Sequence, residues 1–165
     1  MLKEFKNFVE KNNLIEKGDK ILLALSGGID SMVLAKLLIL YSQRTSSTVN
    51  SQSQCHLSFA HCNFHLRGDD SNRDENFVRK FAEENNIPLF VKHFDTESYA
   101  KENSLSIEMA ARELRYAWFK ELKENNAFAK VALAHHGDDQ IETFFINFLS
   151  PQITVSYNNL VTKSF

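Results

Sequence analysis

The chain has 165 residues, 43% hydrophobic and 24% charged, with a formal net charge of −2, which suits one soluble globular domain. No apolar run approaches the length of a membrane span, and the start Met1-Leu2-Lys3-Glu4-Phe5-Lys6 offers no continuous apolar core for a signal peptide, so a cytoplasmic protein without membrane contact is expected. The weak negative charge excludes a strong, delocalised nucleic-acid footprint, and Cys55 and Cys62, an odd number of positions apart along one predicted strand, face opposite ways and are not expected to pair.

Leu2, Phe5, Phe8 and Val9 mark one face of a leading helix, and Gly18-Asp19 turns the chain into Ile21 to Leu25, a run with the length and composition of a strand buried on both faces. The loop Ser26-Gly27-Gly28-Ile29-Asp30-Ser31 follows directly. Its glycines permit a sharp turn and bring backbone N–H groups close to a ligand, while Ser26 and Ser31 add hydroxyl donors and Asp30 a carboxylate. Val33, Leu34, Leu37, Leu38 and Tyr41 then recur at helical spacing, so the loop ends on a helix N-terminus, which favours an anion. This reads as a phosphate cradle. A plain strand-to-helix turn is the alternative, but it gives the two hydroxyls and the carboxylate nothing to do, and the pattern is neither of the two common phosphate loops.

Ser42 to Gln54 is a polar connection of Ser, Thr, Gln and Asn. A second strand is expected from His56 to His61, then a break at Gly68-Asp69-Asp70. Ser71 with Asp74 resembles a capping box for a helix with Phe77, Val78, Phe81 and Ala82 inward. Ile87 to Phe94 reads as a third strand with Pro88 at its start. A helix capped by Ser104 or Ser106 buries Ile107, Ala110, Ala111, Leu114 and Trp118. Val131 to Ala134 forms a fourth strand, and Ile141, Phe144, Phe145, Phe148 and Leu149 a last helix. Strands alternating with helices predict an α/β fold, a doubly wound parallel sheet with helices on both faces, and such sheets bind ligands at the carboxyl ends of their strands.

The polar residues at those ends form four clusters: the Ser26 to Ser31 loop, His61-Cys62-Asn63, the stretch after Phe94, and His135-His136-Gly137-Asp138-Asp139. In the last, Asp139 with Glu142 also suits a helix cap. His135, His136 and Asp138 are not needed for that and suit a nucleotide or a Mg²⁺ held through carboxylate oxygen, whereas adjacent histidines without a Cys partner lack zinc spacing. Glu108, Arg112 and Arg115 share a helix face, as a solvated ion-pair ladder or with one arginine given to a phosphate. His61 is either a satisfied strand-end histidine or a ligand.

The pattern Ser-Gly-Gly-x-Asp-Ser resembles the pyrophosphate-binding loop of the PP-loop ATPases, the adenine nucleotide alpha-hydrolase-like group that splits ATP between its α and β phosphates. With Leu-Arg-Gly at 66 to 68, Ala-Ala-Arg-Glu-Leu-Arg-Tyr at 110 to 116 and Ala-His-His-Gly-Asp-Asp-Gln-Ile-Glu-Thr at 134 to 143, the chain resembles the N-terminal catalytic domain of the tRNA(Ile)-lysidine synthetases. The resemblance implies an ATP-binding catalytic domain over residues 1–150. It implies adenylation of the wobble cytidine of tRNA(Ile), attack by free L-lysine, and use of ATP and Mg²⁺, with a homodimer left open.

Carried onto this chain, the resemblance places Ser26, Gly27, Gly28, Ile29 and Ser31 on the pyrophosphate, Asp30 near its Mg²⁺, and Ala24, Leu25 and His61 beside adenosine. It turns Arg112 to the phosphates and sets Asp138 by the metal or the lysine amine; His135, His136, Asp139 and Glu142 are further candidates. Where many members have Asp-His after the second strand this chain has Asn63-Phe64, which alters a polar contact there. Residues 151–165 form a polar tail unlike the family's glycine-rich continuation, so its tRNA-binding domains are expected to be absent, and a catalytically inactive ATP-binding remnant and another PP-loop ATP pyrophosphatase are the alternative readings.

Overall fold

A computed structural model describes residues 1–43, 55–134, 146–147 and 154–155. Helix α1 (Leu2–Lys11) leads into β1 (Asp19–Ala24), followed by α2 (Ile29–Gln43), β2 (Cys55–Asn63), α3 (Asp69–Glu84), β3 (Leu89–His93), α4 (Thr96–Glu102), α5 (Ile107–Asn126) and β4 (Lys130–Leu133), with short β5 (Ile146–Asn147) and β6 (Thr154–Val155) after them. The first four strands form one parallel sheet in the order β3-β2-β1-β4. β1 lies inside it, in register with β2 from Asp19 opposite Cys55 to Ala24 opposite Ala60, and with β4 from Ile21 opposite Lys130 to Ala24 opposite Leu133.

Alternation along β1 explains why it reads as an unbroken apolar run. Ile21, Leu23 and Leu25 join a core with Val9 of α1, Leu34 and Leu38 of α2, and Val78 and Phe81 of α3. Leu22 points the other way, to a core with Trp118, Phe119 and Leu122 of α5 and Val131 and Leu133 of β4. The two cysteines divide between these faces as expected and both are free. The chain runs outward through β1, β2 and β3 with α2 and α3 on one face, then returns across the other face through α5 to place β4 beside β1. The order therefore reverses next to β1, and a crevice opens at the carboxyl ends of β1 and β4.

Several local expectations are corrected. α3 begins at Asp69 behind Gly68 with no side-chain cap, so Ser71 and Asp74 do not form a capping box. Ser71 Oγ instead accepts from the Arg67 N–H at 3.2 Å, and Asp74 pairs with Arg67. The acids Asp69 and Asp70 occupy the first turn, where the helix dipole favours them. Phe77 is 50% exposed and Ile107 41% exposed, at the rims of otherwise apolar stripes. Of the two caps considered for α5, Ser106 serves, accepting from the Met109 N–H at 3.2 Å.

α4 was not anticipated; Asp95 caps it through the Ser98 N–H at 3.1 Å. The helix expected over 141–149 is contradicted at Ile146–Asn147, a strand antiparallel to Thr154–Val155, where β-branched Ile146, Thr154 and Val155 suit extended backbone. Its residues 141–145 and 148–149 lie outside the described residues. Among the described residues no helix is long and apolar enough to cross a membrane.

Candidate nucleotide site

The loop after β1 is anchored at its start, where the Leu25 N–H donates to Ala60 O at 2.9 Å. Gly28 N–H donates to Ser26 Oγ at 3.2 Å, Ser26 Oγ to Ser31 Oγ at 3.2 Å, and Ser31 Oγ to Gly28 O at 2.8 Å, a closed ring that shapes the loop without a ligand. Ser31 is buried beneath it. Gly27 has φ +87°, and a Cβ built on it would lie 3.3 Å from Asp74 Cβ. The glycine is thus required twice, by a left-handed backbone and by the close approach of α3. α2 starts at Ile29 with Asp30 in its first turn, and helix geometry turns the leading amides of that end toward whatever occupies the loop.

Two cavities meet at this loop. One of about 120 Å³ lies in the crevice, lined by Ala24, Leu25, Ser26, Ser31, Leu133 and Ala134 among others. The other, about 330 Å³, lies on the β2 and α3 side and is bordered by His61, Asn63, Leu66, Arg67, Ser71 and Asp74. Ser26, Cys62, Phe64 and Arg115 line both. A larger cavity of about 590 Å³ sits at the opposite, amino ends of the strands against Lys20, His56 and Asn126. It is bordered by Gln43 and Cys55, which flank residues outside the description, and it contains none of the loop, so the carboxyl end is the chemically equipped one.

Arg115 is the cation of this junction. Its guanidinium lies 5.4 Å from the centre of the Phe64 ring, and among the described residues no carboxylate pairs with it. Phe64 is itself stacked on Phe94, with centroids 5.2 Å apart. A half-buried arginine held by an aromatic face and facing a phosphate-type loop is free to take an anion. Arg112 instead lies exposed with its guanidinium 5.0 Å from the Tyr116 ring, and it borders neither cavity. Glu108 is also exposed and forms no ion pair with Arg112 among the described residues, so the surface ladder is not formed.

His61 is 3% exposed, and its Nδ1 lies 2.7 Å from Leu25 O. A carbonyl only accepts, so Nδ1 carries the proton and the lone pair falls on Nε2. The ring ties the end of β2 to the first residue of the loop. It supports the site and also borders the larger of the two joined cavities. Ala24 and Leu25 form the crevice wall. Ile29 is 77% exposed beside the loop.

Asn63 is buried and donates to Glu75 Oε2 at 2.9 Å, so the place of the family's Asp-His contains a polar network in this chain. Asp74 and Arg67 are the polar residues that sequence reasoning passed over as site groups, although the Leu-Arg-Gly segment pointed to their neighbourhood. His135, His136, Asp138, Asp139 and Glu142 lie outside the described residues. Among the described residues no three His, Cys, Asp or Glu side chains converge as a metal site. Burial pushes the Cys62 thiol up to about 12, against the lowering influence of Arg115 and Lys92, and burial with the Asp19 charge pushes Cys55 up to about 11. Neither thiol is poised as a nucleophile.

Comparison with known proteins completes this picture: the PP-loop domain family matches residues 1–156. The chain belongs to the PP-loop family. It is 46% identical over 142 residues to the tRNA(Ile)-lysidine synthase of Bacteroides thetaiotaomicron, covering 86% of this chain and 30% of that protein. It is 42% identical over 149 residues to the enzyme of that name from Parabacteroides distasonis, covering 90% of this chain and 31% of that one. The chain thus spans about a third of the length of these curated relatives. Among solved structures the U34-tRNA thiolase NcsA from Methanococcus maripaludis matches 82% of this chain and 46% of its own, with TM-score 0.62 and 20% identity, a likeness of fold. The parallel sheet and the loop at the end of β1 are the features of the PP-loop domain this chain presents.

Proposed function

We propose that this PP-loop domain binds ATP across the two joined cavities and serves a tRNA(Ile)-lysidine synthase, a ligase forming a C–N bond. The observation that carries the reading is the preformed Ser26 to Ser31 loop with Arg115, unpaired among the described residues, beside it at the junction where a phosphate would link two compartments. Relatives of that name at 42–46% identity support the choice of reaction.

In this reading the crevice of Ala24, Leu25, Leu133 and Ala134 takes adenosine, and the loop amides with Ser26 and Ser31 hold the pyrophosphate part. Arg115 neutralises charge at the phosphate under attack. The C2 carbonyl oxygen of the wobble cytidine attacks the α phosphate and pyrophosphate leaves. The amine of L-lysine then attacks C2 and AMP departs with that oxygen. Charge stabilisation of the leaving pyrophosphate is the main task, and no covalent enzyme nucleophile is needed. Mg²⁺, when bound, supplies further neutralisation of the phosphates, with Asp30 and Asp138 the carboxylates assigned to it.

The fit of phosphate is supported by the Ser26 and Ser31 hydroxyls of the loop and by the Arg115 guanidinium, which pairs with no carboxylate among the described residues. Sulfur transfer, the chemistry named for the structural neighbour, is disfavoured because both thiols are held protonated on opposite faces of the sheet. Calorimetry with Mg-ATP tests the site, and release of AMP dependent on both lysine and minor tRNA(Ile) tests the reaction. Absence of ATP binding would overturn the whole reading; ATP binding without lysine-dependent AMP release would confine it to a nucleotide-binding domain.

A further inference from the structure

A second group of titratable side chains lies beside the larger of the two joined cavities and takes no part in the chemistry above. His93 ends β3, and His65 lies on the β2–α3 connection with φ +53°. That left-handed conformation is unfavourable for a non-glycine residue, and it is held in place because Asn63 Oδ1 accepts the His65 N–H at 3.0 Å. His93 Nδ1 is 2.8 Å from His65 Nε2. Centroids 4.9 Å apart with 30° between planes leave those two nitrogens between the ring centres, so the rings meet edge to edge.

On its other side His93 Nε2 lies 3.2 Å from Glu75 Oε2. Glu75 is 8% exposed and also accepts from Asn63 Nδ2 and Arg79 Nε, each at 2.9 Å. With Glu75 already accepting from Asn63 and Arg79, its Oε2 also accepts from His93, which places the His93 proton on Nε2 and turns the Nδ1 lone pair to His65. A carboxylate fixing the outer nitrogen of an imidazole while the inner lone pair faces outward is the arrangement that orients metal-ligating histidines.

The geometry points to His65 and His93 as a two-histidine site for a borderline divalent transition ion such as Zn²⁺, Ni²⁺ or Cu²⁺, oriented by Glu75. Metal–nitrogen bonds of about 2.0–2.1 Å in a tetrahedral site need the two nitrogens about 3.3 Å apart, a small opening from the hydrogen-bonded separation. The His93 side chain is 51% exposed and His65 is exposed, so the rings have room to make it. His65 changes tautomer, its proton moving from Nε2 to Nδ1, so a neutral pair releases no net proton. The protein supplies two nitrogens, and water fills the remaining positions. Mg²⁺ is excluded by its preference for oxygen. A bound ion ties to β3 the connection that carries Phe64, Leu66 and Arg67 into the cavity.

The test is titration of the metal-free chain with ZnCl₂ or NiCl₂ by calorimetry, with His135→Ala and His136→Ala introduced so that this adjacent pair does not contribute. One ion per chain is expected. His65→Ala and His93→Ala each weaken it at least tenfold, and His56→Ala leaves it unchanged. Glu75→Gln weakens it by about 10–100-fold, as expected for an outer partner of a ligand. Should Glu75→Gln fail to fold, the number of nitrogens coupled to Cu²⁺ in its electron paramagnetic resonance spectrum, two in the parent chain and one in its His65→Ala variant, carries the decision. No binding, or binding indifferent to both His65→Ala and His93→Ala, overturns the assignment.

Discussion

Replacing Gly27 by alanine loads both constraints on the loop at once. The backbone there has φ +87°, and the new Cβ would meet Asp74 Cβ at 3.3 Å and Asp74 Cα at 3.6 Å. The left-handed conformation alone costs about 1–2 kcal/mol. The contact adds to this, because Asp74 is held by Arg67 and sits on a sixteen-residue helix that does not move as a side chain would. Gly18 offers an internal reference: its φ is +86°, with nothing within 4 Å of an added Cβ. Gly18→Ala therefore reports the backbone cost alone, about 2–8 °C in Tm for a chain of this size. Gly27→Ala should melt lower than Gly18→Ala, and the difference measures the clash with α3. The assay is thermal unfolding by circular dichroism, paired with calorimetric ATP binding, which Gly27→Ala should weaken at least tenfold and Gly18→Ala should not. Equal Tm values for the two variants, or undiminished ATP binding by Gly27→Ala, would refute the close packing of α3 on the loop and the role given to it.

Arg115→Ala should weaken ATP binding by roughly 10- to 100-fold, the loss of a charge-assisted hydrogen bond worth about 1.5–3 kcal/mol, while Arg112→Ala changes it at most a few-fold; calorimetry on both separates the two arginines. Iodoacetamide should label Cys62 and Cys55 in the folded chain at pH 8 at least about a hundredfold more slowly than in urea-unfolded chain, since burial holds both as thiols, a rate read by mass spectrometry. Glu75, whose folded carboxyl lies below its ordinary value of 4.5, contributes stability that is present above that value and lost as pH falls through the lower folded one. Urea midpoints between pH 7 and pH 3 should therefore fall less steeply for Glu75→Gln than for the unaltered chain, and parallel slopes would show that folding does not lower this carboxyl.

The strands were legible because burial on both faces leaves an unmistakable apolar run, as in Ile21 to Leu25, and the loop because glycines, hydroxyls and an acid coincide in six positions. The order of the strands was not legible in full, since nothing local to β4 says that it returns to the free side of β1. Phe77 and Ile107 satisfy helical spacing yet lie at the rim, where the width of the partner surface decides exposure. Arg112 and Arg115 share a helix face in the sequence, and only the position of Phe64, brought in by β2, tells which of them turns to the loop. Asp74 read as a cap because its spacing from Ser71 fits one, whereas α3 started earlier and left it free to meet Arg67 and Gly27. The last helix expected from apolar spacing gives way at Ile146–Asn147 to strand pairing with a segment further along, which local periodicity does not encode.

The placement of β1 inside the sheet explains why the site has two compartments. Its carboxyl end is flanked by β4 on one side and β2 on the other, so the loop that leaves it opens onto both gaps. One gap is walled by Ala24, Leu133 and Ala134 and in the proposed reaction takes base and sugar. The other is bordered by His61, Asn63, Arg67 and Asp74 together with Phe64 and Leu66 and in that reading takes the second substrate. The proposed adenylyl transfer would set its phosphate at the boundary between the two, and Ser26 and Arg115 are polar side chains common to both walls. An edge strand would open onto one gap only. The inward position of β1 and the loop at its end thus work together in that reading; among the described strands β2 shares such a position, whereas the same loop on β3 or β4 would face a single gap.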